Sequence, residues 1–347
     1  MRLLVITREQ EHERLSSVWD RLSKDHSVQI FFTGQIKHPF WFNLAYAGEE
    51  YHFYKKLKGQ GSYWKNRIYD FPFAFPKWSR YSFLCHLKKF YKPGQEIIDR
   101  LKELNPDAVI ATNLVYPPYY ADYDYALATK LLGIPLIGIV PTWDALSTKT
   151  KVQVQPDYMF CWNYQHQDEL GLFHGIENPI MVGAYTFEHF LNQKTKSRGQ
   201  FCKDMGFDHK KDILTYLCSS PNIDPQEEIF LTKWLNEHKG EQIIIVPHPN
   251  KPMKLESKTP RIVMLRPDFQ TKVNIYSHSK CYGLNTSALL EAGIIGEIHF
   301  LGDKTKSLHY KWLNEALNDK TPLIKWLGFQ NKLPSELIAE KINAIIN

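Results

Sequence analysis

Two short apolar runs, each followed by a polar loop, constrain the fold of this 347-residue chain most strongly. Residues 242–250 read QIIIVPHPN, and residues 282–296 read YGLNTSALLEAGIIG, where the loop continues at helical spacing. This pattern is typical of a buried parallel strand that delivers a loop to the edge of a sheet. Ligands bind at the carboxyl ends of such strands, and a loop that opens a helix presents N–H groups that suit a phosphate. The two stretches therefore predict a pyrophosphate or nucleotide site.

The same alternation of strand and helix runs through most of the chain. Strands are predicted at residues 1–7, 27–33, 107–112, 134–140 and 157–162, and then at 212–218, 242–246, 261–265, 280–282 and 297–301, while residues 178–182 lead into Gly183-Ala184. Helices are predicted at residues 9–26, 95–104, 119–132, 165–174, 227–238, 287–294 and 335–346. No GxGxxG joins the first strand to its helix, which disfavours a Rossmann dehydrogenase.

These elements form two βαβ series, and the polar, basic segment 191–198 (LNQKTKSR) is the best candidate for the linker between them. We therefore expect an α/β protein of two Rossmann-like domains facing across a cleft. The expected boundaries are residues 1–190 for the first domain, 199–330 for the second, and 331–347 for a closing helix.

Composition limits the class of protein. Hydrophobic residues make up 43% of the chain and charged residues 23%, as in folded globular proteins. The five cysteines are scattered without a CxxC pair, which favours reduced thiols and the cytoplasm. The N-terminus lacks the features of a signal peptide, and no run of about 18 apolar residues predicts a transmembrane helix.

Residues 38–93 differ from the rest in composition. They contain 18 aromatic residues and ten Lys or Arg against three acidic residues, a local charge of +7 (ten minus three) in a chain of net charge +6. Such a segment favours an acceptor groove or an anionic membrane surface, while the structural alternative is a small aromatic core under solvated lysines. Nucleic acid is not expected, because no RNP, helix-turn-helix or zinc pattern accompanies the charge.

Several segments resemble a known group of enzymes. PTWDALSTKT (141–150) is similar to the W-D-N-L-T-S-K-G segment of capsule-type bacterial glycosyltransferases of the GT-B fold, although Ala145 stands where that pattern has Asn. IIIVPHPN matches the HP motif shared by bacterial sialyltransferases, Kdo transferases and CDP-glycerol phosphotransferases. GLNTSALLEAGIIG resembles the Ser/Thr loop and helix of the same groups, and ILTYLCSS (213–220) resembles the first strand and loop of their nucleotide-binding domain. The resemblance covers residues 105–300 and implies the GT-B fold.

The resemblance implies a set of residues that bind the donor nucleotide. His248, fixed between two prolines, would contact the donor phosphate and stabilise the leaving nucleotide. The other expected contacts are Ser219 and Ser220 with the pyrophosphate, Asn285, Thr286 and Ser287 at the helix entrance, and Glu291 with the ribose. Asn, Thr and Ser at a strand-to-helix junction also serve as helix caps, and capping competes with phosphate for the same N–H groups.

On the acceptor side, Asp144 is the only carboxylate of residues 141–150, and Trp143 beside it would limit its solvation. A partly desolvated carboxylate suits a general base for an acceptor hydroxyl, whereas a turn-forming Asp is the structural alternative. Lys149 would neutralise donor or acceptor charge. Asp122, Asp124 and Glu188 are rival candidates for the base.

No metal ion and no cofactor besides the nucleotide-sugar substrate are expected. The one DxD sequence, Asp122-Tyr123-Asp124, lies in a predicted helix away from the donor loops, and we interpret it as a solvated helix face. The GT-B enzymes that the chain resembles act without a metal.

The predicted function is a glycosyltransferase that moves a sugar from a CMP-ulosonate or a UDP- or GDP-sugar to a glycan or lipid-linked acceptor in surface-polysaccharide synthesis. Three alternatives stay open: a CDP-alditol phosphotransferase, a hydrolysing UDP-GlcNAc 2-epimerase, and a non-catalytic glycan- or membrane-binding protein. The expected location is the cytoplasm, with peripheral contact at the inner face of the membrane through residues 38–93 as a further hypothesis.

Overall fold

The computed structural model describes residues 1–34, 91–115, 122–148, 151–220, 224, 226–249, 261–302 and 323–346. The chain divides into two compact units, Met1–Glu188 with Lys325–Asn347, and His189–Ile324. Each unit contains its own parallel sheet, so the predicted α/β class with two parallel-sheet domains is confirmed. The predictions for residues 38–90 and for Lys149 lie outside the described residues.

The first unit is built on a six-stranded sheet. Its strands are β1 Arg2–Thr7, β2 Ser27–Phe32, β3 Ala108–Ala111, β4 Leu136–Ile139, β5 Tyr158–Cys161 and β6 Ile180–Met181. They are parallel and lie in the order β2-β1-β3-β4-β5-β6, with Val5 paired to Ile30 on one side and Ile110 on the other. The strand order therefore reverses at β1, which places a switch point between β1 and β3.

The helices of the first unit follow the predicted order with two differences, an interruption of the first helix and a short helix at Ala145–Thr148 that was not predicted. They are α1 Glu9–Arg14, α2 Ser16–Leu22, α3 Gln95–Leu104, α4 Asp122–Leu131, α5 Ala145–Thr148 and α6 Tyr164–Glu169, the last continued by a π-helical turn at Leu170–His174. The single helix expected over residues 9–26 is interrupted at Leu15, whose φ of −103° and ψ of 9° lie outside the helical region.

The interpretation of Asp122-Tyr123-Asp124 as a solvated helix face is wrong. Asp122 and Asp124 are both buried at the start of α4. The Thr33 hydroxyl donates to Asp122 at 2.7 Å, the Arg8 guanidinium lies 3.4 Å from the same carboxylate, and the Tyr91 hydroxyl donates to Asp124 at 2.6 Å. These partners come from distant parts of the chain, and they cover this face of α4, which therefore lies in the interior.

The second unit has a five-stranded parallel sheet. Its strands are β7 Ile213–Leu217, β8 Gln242–Val246, β9 Ile262–Met264, β10 Lys280–Gly283 and β11 Ile298–Phe300, in the order β11-β10-β7-β8-β9. Its helices are α7 Arg198–Met205, α8 Glu227–Glu237, α9 Phe269–His278 and α10 Ala288–Ile295. The strand order reverses between β7 and β10. Helices α7 and α9 are not predicted from the sequence.

The C-terminal segment returns to the first unit. It contains α11 Leu323–Trp326 and α12 Pro334–Ile346. Helix α12 packs on α2, where Arg21 and Glu336 form an ion pair of 3.1 Å. Gly328, at a φ of 76°, passes so close to Trp162 that a Cβ would collide with the Trp162 carbonyl oxygen. The glycine lets the chain approach the first unit closely before α12 begins.

No helix among the described residues combines the length and the apolar character that crossing a bilayer requires.

Candidate functional site

A cavity of about 370 Å³ lies at the carboxyl edge of the second sheet. It is bordered by the loops that follow β7, β8 and β10, where the strand order reverses, which is the position at which open α/β sheets bind ligands. The polar and charged side chains that line it are His248, Arg266, Lys272, Tyr276, Thr286, Ser287 and Glu291. The cavity therefore combines three basic residues, one carboxylate and three hydroxyl groups.

His248 reaches the cavity because β8 ends at Val246, two residues before it. Ile243, Ile244 and Ile245 fix the strand in the core, and Pro247 is buried while Pro249 is exposed. The imidazole between the two prolines is half-buried, and this burial lowers its pKa from the ordinary value of 6.5. An anion in the cavity would favour the protonated ring and so raise that pKa again.

The entrance of α10 forms a second wall of the cavity. Ser287 occupies the N-cap position without a side-chain capping bond, and Thr286 accepts a weak hydrogen bond from the Ala288 N–H at 3.3 Å. Among the described residues no hydrogen bond uses the backbone N–H of Ser287. The positive end of the helix dipole and these N–H groups suit an anionic ligand.

Glu291 lies one turn into α10 and also lines the cavity. Its Oε2 accepts from the Lys272 ammonium at 3.0 Å and from the Tyr276 hydroxyl at 3.1 Å. Burial and the neighbouring Glu291 charge raise the pKa of Tyr276 well above its usual range, so that its hydroxyl stays a donor.

Other predicted donor residues form a buried network that does not line the cavity. The Ser219 N–H donates to Glu227 at 2.7 Å, and the Ser219 hydroxyl accepts from the Asn285 N–H at 2.9 Å. The Asn285 amide donates to both oxygens of Asp224 at 2.9 and 3.0 Å. Ser220 is half-buried and is likewise absent from the lining. This network ties the loop after β7 to the loop after β10.

The predicted acceptor-side residues follow β4 in the first unit. Asp144 is half-buried and accepts from the Thr142 hydroxyl at 2.9 Å. Trp143 is buried, and its carbonyl oxygen lies 2.9 Å from Nε2 of His166. Glu188, a rival for the base, accepts from the Ser17 hydroxyl at 2.6 Å and from the Ser335 N–H at 2.8 Å. The base assignment stays a prediction.

Arg266, Lys272 and Tyr276 are functional candidates that the sequence analysis misses. Lys272 and Tyr276 lie one turn apart on α9, a helix that was not predicted. A usable signal was Asp268, whose carboxylate caps the helix by accepting from the Thr271 N–H at 2.7 Å. An Asp followed by a short stretch with apolar residues at helical spacing is a helix-start pattern.

No protein-family model and no curated protein sequence matches the chain. Its structure is similar to that of UDP-GlcNAc 2-epimerase from Neisseria meningitidis bound to UDP-GlcNAc, with a TM-score of 0.53 and 13% identity over 99% of this chain and 100% of that chain.

Two further structures match over nearly their whole length. UDP-GlcNAc 2-epimerase from Methanocaldococcus jannaschii has a TM-score of 0.52 and 14% identity, covering 99% of each chain. UGT89C1 from Arabidopsis thaliana has a TM-score of 0.50 and 9% identity, covering 100% of this chain and 99% of that chain. At these identities the likeness shows the fold: two parallel-sheet α/β domains of the GT-B type, as found in glycosyltransferases and UDP-GlcNAc 2-epimerases.

Proposed function

We propose that the protein is a nucleotide-sugar-dependent glycosyltransferase whose donor nucleotide binds in the cavity of the second unit. The observation that carries this proposal is the convergence of His248, Thr286, Ser287 and Glu291 on one cavity at the carboxyl edge of the sheet. Glycosyltransferases and epimerases share this fold, which supports an enzyme that acts on a nucleotide sugar.

We propose a role for the lining residues at each end of a nucleotide. The donor phosphates would lie at the entrance of α10, where the helix dipole, the Ser287 N–H, His248 and Arg266 favour negative charge. The ribose hydroxyls would donate to Glu291. As the bond between the anomeric carbon and the phosphate oxygen breaks, the departing phosphate gains charge, and His248 stabilises that charge.

Transfer also needs a base for the acceptor. We propose Asp144, which would take the proton of the acceptor hydroxyl while the oxygen forms its bond to the anomeric carbon. The Thr142 hydroxyl at 2.9 Å holds one carboxylate oxygen, which orients the other. Trp143 and Lys149 remain the proposed acceptor-side neighbours.

The proposed acceptor is a glycan or lipid-linked glycan of a bacterial surface polysaccharide. This proposal rests on the resemblance of residues 141–150 to capsule-type enzymes and on the aromatic, basic composition of residues 38–93. Flotation with vesicles that contain anionic lipid tests the membrane part of it. Absence of binding at low salt would dismiss that part without affecting the donor site.

A hydrolysing UDP-GlcNAc 2-epimerase is the second candidate, because two epimerase structures match with TM-scores of 0.53 and 0.52. The two reactions differ in their need for an acceptor. An epimerase would release UDP from UDP-GlcNAc without an acceptor, whereas nucleotide release by a transferase should increase when acceptor glycans are added.

Thermal-shift and calorimetric titration with CMP, CDP, UDP and GDP tests the proposal directly. A ligand at one hundred times its Kd stabilises the fold by about 2.7 kcal/mol, so a nucleotide that binds should raise Tm by several degrees. A selective response to CMP supports a CMP-ulosonate donor, and a response to UDP or GDP supports the corresponding sugar. A response to CDP alone would favour the CDP-alditol phosphotransferase, and no response to any nucleotide would contradict the proposed function.

A further inference from the structure

Helices α9 and α10 lie side by side next to the cavity, and each contributes side chains to its wall. Lys272 and Tyr276 are four residues apart on α9, so they share one face of that helix. Glu291 is in the first turn of α10. The three side chains therefore meet between the two helices at the edge of the cavity.

The two carboxylate oxygens of Glu291 differ in their hydrogen bonds. Oε2 accepts from both Lys272 and Tyr276, at 3.0 and 3.1 Å. In the part of the chain that the structure describes, no donor is assigned to Oε1. A carboxylate offers lone pairs on both oxygens, so Oε1 keeps its capacity to accept from a ligand.

Both donors are suited to hold the carboxylate in place. Tyr276 is buried, which fixes its ring, and the Lys272 side chain is two-thirds shielded from solvent, at 32% exposure. A cation and a hydroxyl on the same oxygen hold the carboxylate of Glu291 by two directed hydrogen bonds. A carboxylate with a fixed direction favours a ligand that presents hydroxyl donors to it. A flexible carboxylate would have to be ordered on binding, and that entropy cost would reduce the preference.

We propose that Lys272 and Tyr276 are positioning residues that turn Oε1 of Glu291 towards the vicinal hydroxyls of a ribose, and that they thereby set a preference for ribonucleotides over deoxyribonucleotides. The inference rests on the proposed function, since it requires a nucleotide in the cavity. In this proposal Lys272 and Tyr276 act on the ribose through Glu291.

The test compares Kd values of CMP, CDP, UDP and GDP with those of their 2′,3′-dideoxy counterparts by calorimetry. In the wild-type protein we expect at least one ribonucleotide to bind roughly tenfold tighter than its dideoxy form, as hydrogen bonds to a charged group provide. Tyr276→Phe and Lys272→Met should reduce this ratio to about three or less, while the dideoxy Kd changes less than twofold. Lys272→Arg keeps the cation and should retain most of the preference.

Two control variants match the chemistry of these substitutions outside the cavity. Lys280→Met removes a lysine that pairs with Asp212 at 3.2 Å, and Tyr216→Phe removes a buried tyrosine hydroxyl 3.4 Å from Glu227. Both should leave the ribose preference unchanged. Tyr276→Phe keeps the ring and its packing, so it is expected to fold.

The outcomes separate the two proposals. A wild-type protein that binds no nucleotide overturns both the proposed function and this inference. Equal binding of ribo- and dideoxynucleotides by the wild type overturns the inference alone. The inference is also overturned if Tyr276→Phe keeps the full preference, or if it weakens both kinds of nucleotide equally, since the second result indicates a merely structural role.

Discussion

The carboxyl edges of the two sheets use similar residues in different ways. In the first unit, the strand order reverses between β1 and β3, and the polar side chains there bind each other. The hydroxyls of Thr7 and Thr112 lie 2.9 Å apart, the Asn113 amide donates to Thr112 at 2.9 Å, and Thr33 donates to Asp122. All of these groups except the half-buried Thr33 are buried, and they form one layer.

The second unit has such a layer too, made by Ser219, Asp224 and Asn285 where the order reverses between β7 and β10. In addition, it has an outer layer in which His248 and Ser287 line a cavity. The comparison teaches that polar residues at the end of a strand do not by themselves mark a ligand site. The inner layer holds the loops together, and the residues beyond it line a cavity.

The largest expected effect tests the outer layer. His248→Ala should reduce turnover with the best nucleotide-sugar donor on the order of a hundredfold, because one preorganised donor to a developing charge is worth about that much. Tm should change little, since the imidazole is half-buried at the rim of the cavity. Steady-state kinetics together with thermal unfolding measures both quantities.

The matched control for that variant is His299→Ala. His299 is also in the second unit, on β11, but it stacks on the Tyr282 ring, pairs with Glu297 at 2.7 Å and does not line the cavity. Its removal should leave turnover within about twofold of the wild type, because surface pairs contribute little. Unchanged turnover in His248→Ala would remove His248 from the mechanism. It would also indicate that the outer layer has a structural role, like the inner layer.

In the inner layer of the second unit, by contrast, a substitution should lower the stability of the fold. Asp224→Ala leaves the Asn285 amide without its acceptors in a buried site, which should cost about 2 kcal/mol of unfolding free energy. Asp212→Ala is the control, since that carboxylate is 70% exposed in its pair with Lys280. Urea unfolding measures both variants. Equal stability of the two would show that the Asp224 network does not hold the loops.

Elements whose apolar residues follow a regular pattern were predictable from the sequence. Strand β8 was predicted at its observed bounds of Gln242–Val246, and helix α3 at Gln95–Leu104. The run of isoleucines in β8 is buried on both faces, and α3 buries Ile97 and Leu101 one turn apart. In both elements, the local pattern and the tertiary environment favour the same structure, so the pattern alone was sufficient.

The division of the site into two layers was not predictable in the same way. Asn285, Thr286 and Ser287 are consecutive, yet the Asn285 side chain donates to Asp224 while Thr286 and Ser287 line the cavity. Which of them faces the cavity depends on the loop after β7, which is distant along the chain. Helix α9 was missed because its pattern is weak, and with it the partners of Glu291 were missed as well.

The smallest expected effect concerns the buried carboxylate of the first unit. Burial raises the pKa of Asp122 above its ordinary value of 3.8, against the opposing effects of Thr33 and Arg8. The folded protein therefore binds more protons than the unfolded chain just above pH 3.8, so this residue makes stability fall as pH rises through that window. The side chain of Asp122→Asn does not titrate. The unfolding free energy of this variant should therefore lack this contribution to its pH dependence.

Urea unfolding of the wild type and Asp122→Asn between pH 4 and 7 measures the difference, with the exposed Asp20→Asn as the control. The stability of the wild type relative to Asp122→Asn should decrease as pH rises, whereas the control should run parallel to the wild type. An increase instead would mean that the attraction of Arg8 and Thr33 for the ionised form exceeds the cost of burial. The carboxyl edge of the first sheet would then hold a stabilised carboxylate charge in its buried layer.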